Sequence, residues 1–175
     1  MLNEKIFKKV LTFSAKCGII IIVKGKGLSN MTAKIINFDM DGTIANLYGV
    51  EGWLNDLINS NVRPYAIAKP LVNLSALARQ INKMQKNGYI FNIISWTSKS
   101  GTAEYNKAVA ETKLKWLAKH LPSVKWDNIY IVPYGTPKHE ISSGILFDDE
   151  IGNRTAWGVG AYDVENILGV LRAVA

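Results

Sequence analysis

KIINFDMDGT, residues 34–43, is a short, largely apolar run that breaks abruptly into two acids and a glycine. The first half, residues 34–38, has the length and composition of a buried strand, and the second half reads as the loop that follows it. Asp39 and Asp41 stand two apart, a spacing that turns both carboxylates of an extended segment to one side. Gly42 permits a tight departure from the sheet. One such carboxylate can attack as a nucleophile while its neighbour exchanges a proton with the leaving group. An acidic turn capping a strand is the plainer reading of Asp-x-Asp alone, but Asp-x-Asp-Gly-Thr directly after an apolar strand is a more specific pattern. A calcium loop of the EF-hand kind would need further oxygen-bearing residues and a closing Glu.

Outward from this stretch, strands and helices alternate. Residues 51–61 read as a short helix, and 61–70, with Pro64 and Pro70, as a loop. Leu74, Leu77, Ala78, Ile81 and Met84 fall at helical spacing within 71–87, and Asn87-Gly88 is the stop signal. Residues 89–95 (YIFNIIS) form a second strand, followed by a polar turn over 97–102. A long helix over 103–121 turns Tyr105, Val109, Trp116, Leu117 and Leu121 toward the core, and Pro122 disfavours its continuation. The lysines between 99 and 125 read as a solvated face. Strands are expected at 129–132 and 144–147, a weaker one around 156–159, and a closing helix over 164–174. This order predicts an α/β fold with a mainly parallel sheet, whose ligands gather at the carboxyl ends of the strands.

The 175-residue chain carries a formal charge of +7, from 21 Lys+Arg against 14 Asp+Glu. Residues 1–30 hold six of those lysines (Lys5, Lys8, Lys9, Lys16, Lys24, Lys26) and one acid, Glu4, so the rest of the chain is nearly balanced. Bulk charge therefore says little about a nucleic-acid partner. Residues 1–30 read as a basic extension. A secretory signal there is interrupted by Lys16, a membrane-surface helix is a second reading, and the favoured one takes Met31 as the natural start. Residues 31–175 then form one domain. The single Cys17 excludes an intramolecular disulfide framework and a cysteine-built zinc site, and the expected compartment is cytoplasmic. No run approaches the roughly 18–20 apolar residues of a membrane span. A mean hydropathy of +0.05 with 10% aromatics excludes a wholly disordered chain. The oligomeric state is open.

FDMDGTI, residues 38–44, resembles motif I of the haloacid dehalogenase (HAD) superfamily. Ser95-Trp96-Thr97-Ser98 stands where that superfamily has its hydroxyl motif. Thr97 is preferred over Ser95 because WTS is similar to the C-T-S segment of the 5′(3′)-deoxyribonucleotidases. Lys138 in GTPKH matches the third motif by order, and Asp148 and Asp149 in ILFDDE match the acidic fourth. Adjacent carboxylates repel unless they share a cation, and hard oxygen donors suit Mg²⁺.

The resemblance implies a Rossmann-like three-layer sandwich with a small cap inserted after the first strand, at about residues 44–70. It implies that Asp39 forms an aspartyl-phosphate and that Asp41 protonates the leaving oxygen and then activates water. Gly42, Thr43, Thr97, Ser98 and Lys138 would bind phosphate. Mg²⁺ would be held by the Asp39 carboxylate, the main-chain carbonyl of Asp41, Asp148 and water, with Asp149 bound directly or through a water. The expected partner is a small phosphorylated substrate, a nucleoside monophosphate foremost; Tyr48, Trp53, Tyr65 and Trp96 could wall a base, though core packing is the favoured reading of any single one. Asn46 departs from the nucleotidase pattern, which tends to have Asp there, and the insertion is shorter than the nucleotidase cap. A phosphatase for polynucleotide ends or proteins, and a non-catalytic binding module, are the alternatives.

Overall fold

A computed structural model of the chain describes residues 34–175, so the expectations for residues 1–30 lie outside the described residues. In chain order the elements are β1 (Ile35–Phe38), β2 (Ala45–Asn46), α1 (Trp53–Ile58), α2 (Arg63–Ile67), β3 (Lys69–Pro70), α3 (Leu74–Lys86), β4 (Ile90–Trp96), α4 (Ala103–His120), β5 (Asn128–Val132), β6 (Ile145–Phe147), α5 (Ile151–Trp157), β7 (Ala161–Tyr162) and α6 (Ile167–Val174). Short 3-10 turns occupy Lys138–Glu140 and Val164–Asn166. The main sheet has five strands in the order β5-β4-β1-β6-β7, every pair parallel. The strand that ends at Asp39 thus lies at its centre. No described helix is long and apolar enough to cross a membrane.

Alternation along the strands builds the core. Ile36, Phe38, Phe91, Ile93, Ile129, Ile131 and Phe147 join one cluster with Leu77, Ile81 and Met84 of α3, Trp116 and Leu117 of α4, and Ile167 and Leu171 of α6. The Phe38 ring lies between Phe91 and Phe147, with centroids 6.3 and 5.1 Å away. The intervening strand positions carry a buried amide chain. Asn128 Nδ2 donates to Asn92 Oδ1 and Asn92 Nδ2 to Asn37 Oδ1, both at 2.9 Å. Asn37 Nδ2 donates in turn to the Ser143 and Ile145 carbonyls at 2.8 and 2.9 Å. A register slip would leave these amides unpaired, at roughly 1–3 kcal/mol each, so the chain fixes how β5, β4, β1 and β6 align.

Two segments differ from the sequence reading. Residues 61–70 are not a plain loop: α2 forms there, with Pro64 in its first turn, where the missing amide is no loss. β3 then returns antiparallel to β2, pairing Ala45 with Pro70 and Asn46 with Lys69. The insertion is therefore a two-stranded ribbon whose arms enclose α1 and α2. The strand expected around 156–159 lies later, at Ala161–Tyr162, because α5 runs on to Trp157. Leu146 N and Asp148 N donate to the Gly160 and Tyr162 carbonyls, and this pairing fixes β7 against β6. The closing helix begins as a 3-10 turn, whose Val164 N donates to the capping carboxylate of Asp163 at 2.6 Å, and continues as α6.

Gly144 sets the approach of β6 to β1. Its φ is +89°, and a Cβ there would stand 2.3 Å from the Ile35 carbonyl oxygen. Gly144→Ala is expected to destabilise the protein by about 2 kcal/mol or more, read as a lower midpoint of urea unfolding. An unchanged midpoint would contradict this account of the β1–β6 contact.

Candidate active site

Beyond Phe38 the backbone continues the sheet for one more hydrogen bond, Asp39 N to Phe147 O at 2.8 Å, and then turns. The amides of Thr43, Ile44 and Ala45 all point at the Met40 carbonyl, and Gly42 N donates to Ala45 O. Gly42 has φ +75°, and a Cβ there would lie 2.3 Å from Asp149 Oδ2 and 2.8 Å from the Tyr48 ring. Glycine is thus what lets the acid after β6 close against the loop after β1.

Lys138, from the turn between β5 and β6, is buried between these strand ends. Its Nζ donates to Asp39 Oδ1 at 2.7 Å and to Asp148 Oδ2 at 2.6 Å, 5.0 Å from the centre of the Trp96 ring. The other oxygen of Asp148 accepts from Glu150 N and Asn153 Nδ2, and Arg154 Nη1 donates to the carbonyls of Asp148 and Asp149, each at 2.7 Å. The Thr97 amide donates to Val132 O at 2.7 Å, and Ser98 N to Asn106 Oδ1 at 3.1 Å, which seats both hydroxyl residues at the end of β4.

A cavity of about 290 Å³ opens over this cluster. Among the residues expected from sequence, Asp39, Asp41, Thr97, Ser98, Lys138, Asp148, Tyr48, Trp53, Tyr65 and Trp96 line it. Tyr134 joins them, its ring 4.8 Å from that of Trp96. Gly42, Thr43 and Asp149 do not line it. Thr43 is buried, and its Oγ1 donates to Asp149 Oδ1 at 3.3 Å, so these residues brace the loop from the side.

Lys113 corrects the reading of α4 as carrying only solvated lysines. It is wholly buried, with Nζ 2.6 Å from Asp41 Oδ2, 2.6 Å from the Trp96 carbonyl and 2.9 Å from Ser95 Oγ. The signal was in the spacing: Lys113 stands four residues after Val109 and three and four before Trp116 and Leu117, on the apolar stripe itself. Ser95 and Thr97 both line the cavity, and the Ser95 hydroxyl also accepts from Lys113.

Packing so many charges together shifts them. Burial raises the Asp41 pKa above the ordinary carboxylate value; the Lys113 charge pulls the other way and Asp39 adds to the rise. Burial and the Asp39 charge likewise raise Asp148, against Lys138 and Asn153. Burial works against the Lys138 ammonium, but Asp39 and Asp148 outweigh it and hold its pKa above the usual lysine value. Asp149 is pushed up to about 7 by burial and by Asp39 and Asp148.

Among the described residues no three acidic, histidine or cysteine side chains already close round one point. The donor chemistry nonetheless fits a small hard cation. Asp39, Asp148 and Asp149 are oxygen donors whose mutual repulsion is relieved at Asp149 by a proton near neutrality, the office a divalent ion performs more completely.

This parallel five-stranded sheet carries two carboxylates, Asp39 and Asp41, in the segment that follows its central strand. Two of the solved structures that share this α/β fold are phosphatases. One is the D,D-heptose 1,7-bisphosphate phosphatase from Burkholderia thailandensis, 11% identical, with a TM-score of 0.52, covering 81% of this chain and 97% of that one. The other is the D,D-heptose 1,7-bisphosphate phosphatase from B. bronchiseptica complexed with magnesium and phosphate, 12% identical, with a TM-score of 0.50 and the same coverage. At these identities the likeness is one of fold. No family model matches the chain, and no curated protein matches it in sequence.

A cation held by Asp149 would displace the proton that burial and the Asp39 and Asp148 charges favour there, with a pKa pushed up to about 7. Mg²⁺ affinity measured by calorimetry is therefore expected to fall about tenfold between pH 8 and pH 6, with proton release on binding. An affinity that does not change over that range would remove Asp149 from the donor set.

Proposed function

We propose that the chain is a Mg²⁺-dependent phosphomonoester hydrolase that works through an aspartyl-phosphate on Asp39. Its preferred substrates are a nucleoside monophosphate or another small phosphomonoester. The observation that carries this reading is the pairing of Asp39 and Asp41 at the end of the central strand, both lining one cavity, with Lys138 bridging Asp39 to Asp148. The two structural neighbours, both phosphatases and one complexed with magnesium and phosphate, support it.

In the proposed reaction Asp39 attacks phosphorus through Oδ2, the oxygen that Lys138 does not hold. The P–O bond to the leaving group breaks, and the proton on Asp41 passes to the departing oxygen. Water then attacks the aspartyl-phosphate, gives its proton to Asp41, and the bond between Asp39 and phosphorus breaks to release phosphate. Lys138, Thr97 and Ser98 take up charge on the phosphoryl oxygens, because phosphoryl transfer depends mainly on positioning and charge stabilisation. The raised pKa of Asp41 keeps its proton available for donation. Mg²⁺ would be held by Asp39, Asp148 and the Asp41 main-chain carbonyl, with Asp149 direct or through a water, and would supply further neutralisation of the phosphoryl group.

The insertion between β2 and β3 acts as a small cap in this reading. It brings Trp53, Leu54, Leu57 and Tyr65 into the cavity wall, and the Tyr48 ring meets Trp53 edge-on at 5.0 Å. Flat faces of Trp53, Trp96 and Tyr134 suit a base or a sugar, and a cavity of this size suits a small ester better than a polymer end.

Asp39→Asn is expected to abolish phosphate release from p-nitrophenyl phosphate in Mg²⁺; turnover at the wild-type rate would refute the nucleophile. A parallel screen of nucleoside monophosphates, sugar phosphates and phosphorylated oligomers is expected to favour the nucleotides, and preference for a sugar phosphate would move the substrate class while leaving the chemistry.

A further inference from the structure

Lys113 is a buried cation that the chemistry above does not use. It stands on α4 in line with Tyr105 and Val109, does not line the cavity, and its three short contacts match the three protons of an ammonium group. Its orientation is thereby fully specified by the main chain and a hydroxyl at the end of β4 and by one carboxylate oxygen. The Tyr65 ring of the insertion covers the same ammonium, 5.2 Å from its centroid, and Tyr105 on the same stripe donates its hydroxyl to the Asn61 carbonyl at 3.2 Å.

We infer that Lys113 is a positioning residue that grips Oδ2 of Asp41, so that Oδ1 is presented to the leaving-group oxygen of a substrate in the cavity. The inference rests on the phosphatase reading. An aspartate has two free side-chain torsions, and a carboxyl with no fixed partner samples several orientations. The ammonium holds Oδ2 and leaves Oδ1 of this cavity-lining residue free to carry the proton. A group that held Asp41 in this way would affect proton delivery to the leaving group. It would leave the phosphate contacts of Lys138 and Thr97 untouched. A role in charge balance or folding alone would lower all rates by one factor.

Leaving-group dependence separates the two. Lys113→Met keeps the apolar stem and removes the charge. Its kcat/KM is to be compared with wild type on p-nitrophenyl phosphate, whose leaving group departs readily without a proton, and on phenyl phosphate, whose leaving group needs one. kcat/KM reports the steps up to loss of the leaving group, so slow hydrolysis of the aspartyl-phosphate does not mask the effect. The loss is expected to be at least about tenfold greater for phenyl phosphate, within the range general acids contribute. Ser95→Ala removes one of the three acceptors and retains the ion pair. It is expected to lose about threefold on phenyl phosphate and less on the nitrophenyl ester, and it decides the matter if Lys113→Met does not fold. Equal losses on both esters, or no loss, would overturn the role of Lys113 while the phosphatase stands. A wild-type protein inert toward both esters would instead overturn the phosphatase reading, and this role with it.

Discussion

The Lys138 ammonium between Asp39 and Asp148 is the contact on which the carboxyl end of the sheet is built. Both carboxylates are buried, at the ends of neighbouring strands whose amides hold them close, and removing one partner of such a buried pair costs about 3–5 kcal/mol. The chain between β5 and β6 must therefore bring a cation to this point. Doing so seats the turn Lys138–Glu140 beneath the cavity and lays the ammonium against Trp96, whose Nε1 donates to the Thr136 carbonyl at 2.9 Å. The aromatic wall and the charged floor are thus placed by one segment. The same cluster is what a phosphoryl group would meet: a carboxylate with one oxygen unclaimed by Lys138, an ammonium beside it and hydroxyl residues at the end of β4.

α4 joins this floor to the insertion. Its apolar stripe begins with Tyr105 and Val109, which pack with Leu47 and Tyr65, and ends with Trp116 and Leu117 in the main core. Lys113 lies between the two clusters, where the stripe passes under Asp41. One helix face thus touches the cap, the acid and the sheet in succession. This geometry links the insertion to Asp41, through Tyr65 over the Lys113 ammonium.

Much of this was legible in the sequence, because the informative residues signal through local rules. The run from Ile35 to Gly42 places a strand, a turn and two carboxylates on one side without reference to anything distant. The spacing of Leu77, Ile81 and Met84 likewise marks α3 on its own. Pro64 misled because proline disfavours helix interiors, whereas in α2 it occupies the first turn, a distinction that depends on where the helix starts. The β2–β3 ribbon is only two residues long in each arm, too short for alternation to show. β7 was misplaced because its residues carry little apolar pattern, and its position is set by hydrogen bonds from Leu146 and Asp148. Lys113 was missed because a lysine on an apolar stripe reads as a charge reaching solvent unless its partner is known, and Asp41 lies 72 residues away in the chain. Gly42 and Thr43 follow the two carboxylates in the sequence run, and the structure sets both against Asp149, outside the cavity lining.

The central claim is that Asp39 becomes covalently phosphorylated. It is tested most directly by mixing the full-length protein with p-nitrophenyl phosphate and Mg²⁺, quenching in acid within the first turnover, and locating the added phosphoryl group by peptide mass spectrometry. The account predicts one phosphoryl group, carried by the peptide that contains Asp39 and absent from the Asp39→Asn protein. Phosphate release with no phosphorylated peptide, or with the label on another residue, would contradict it.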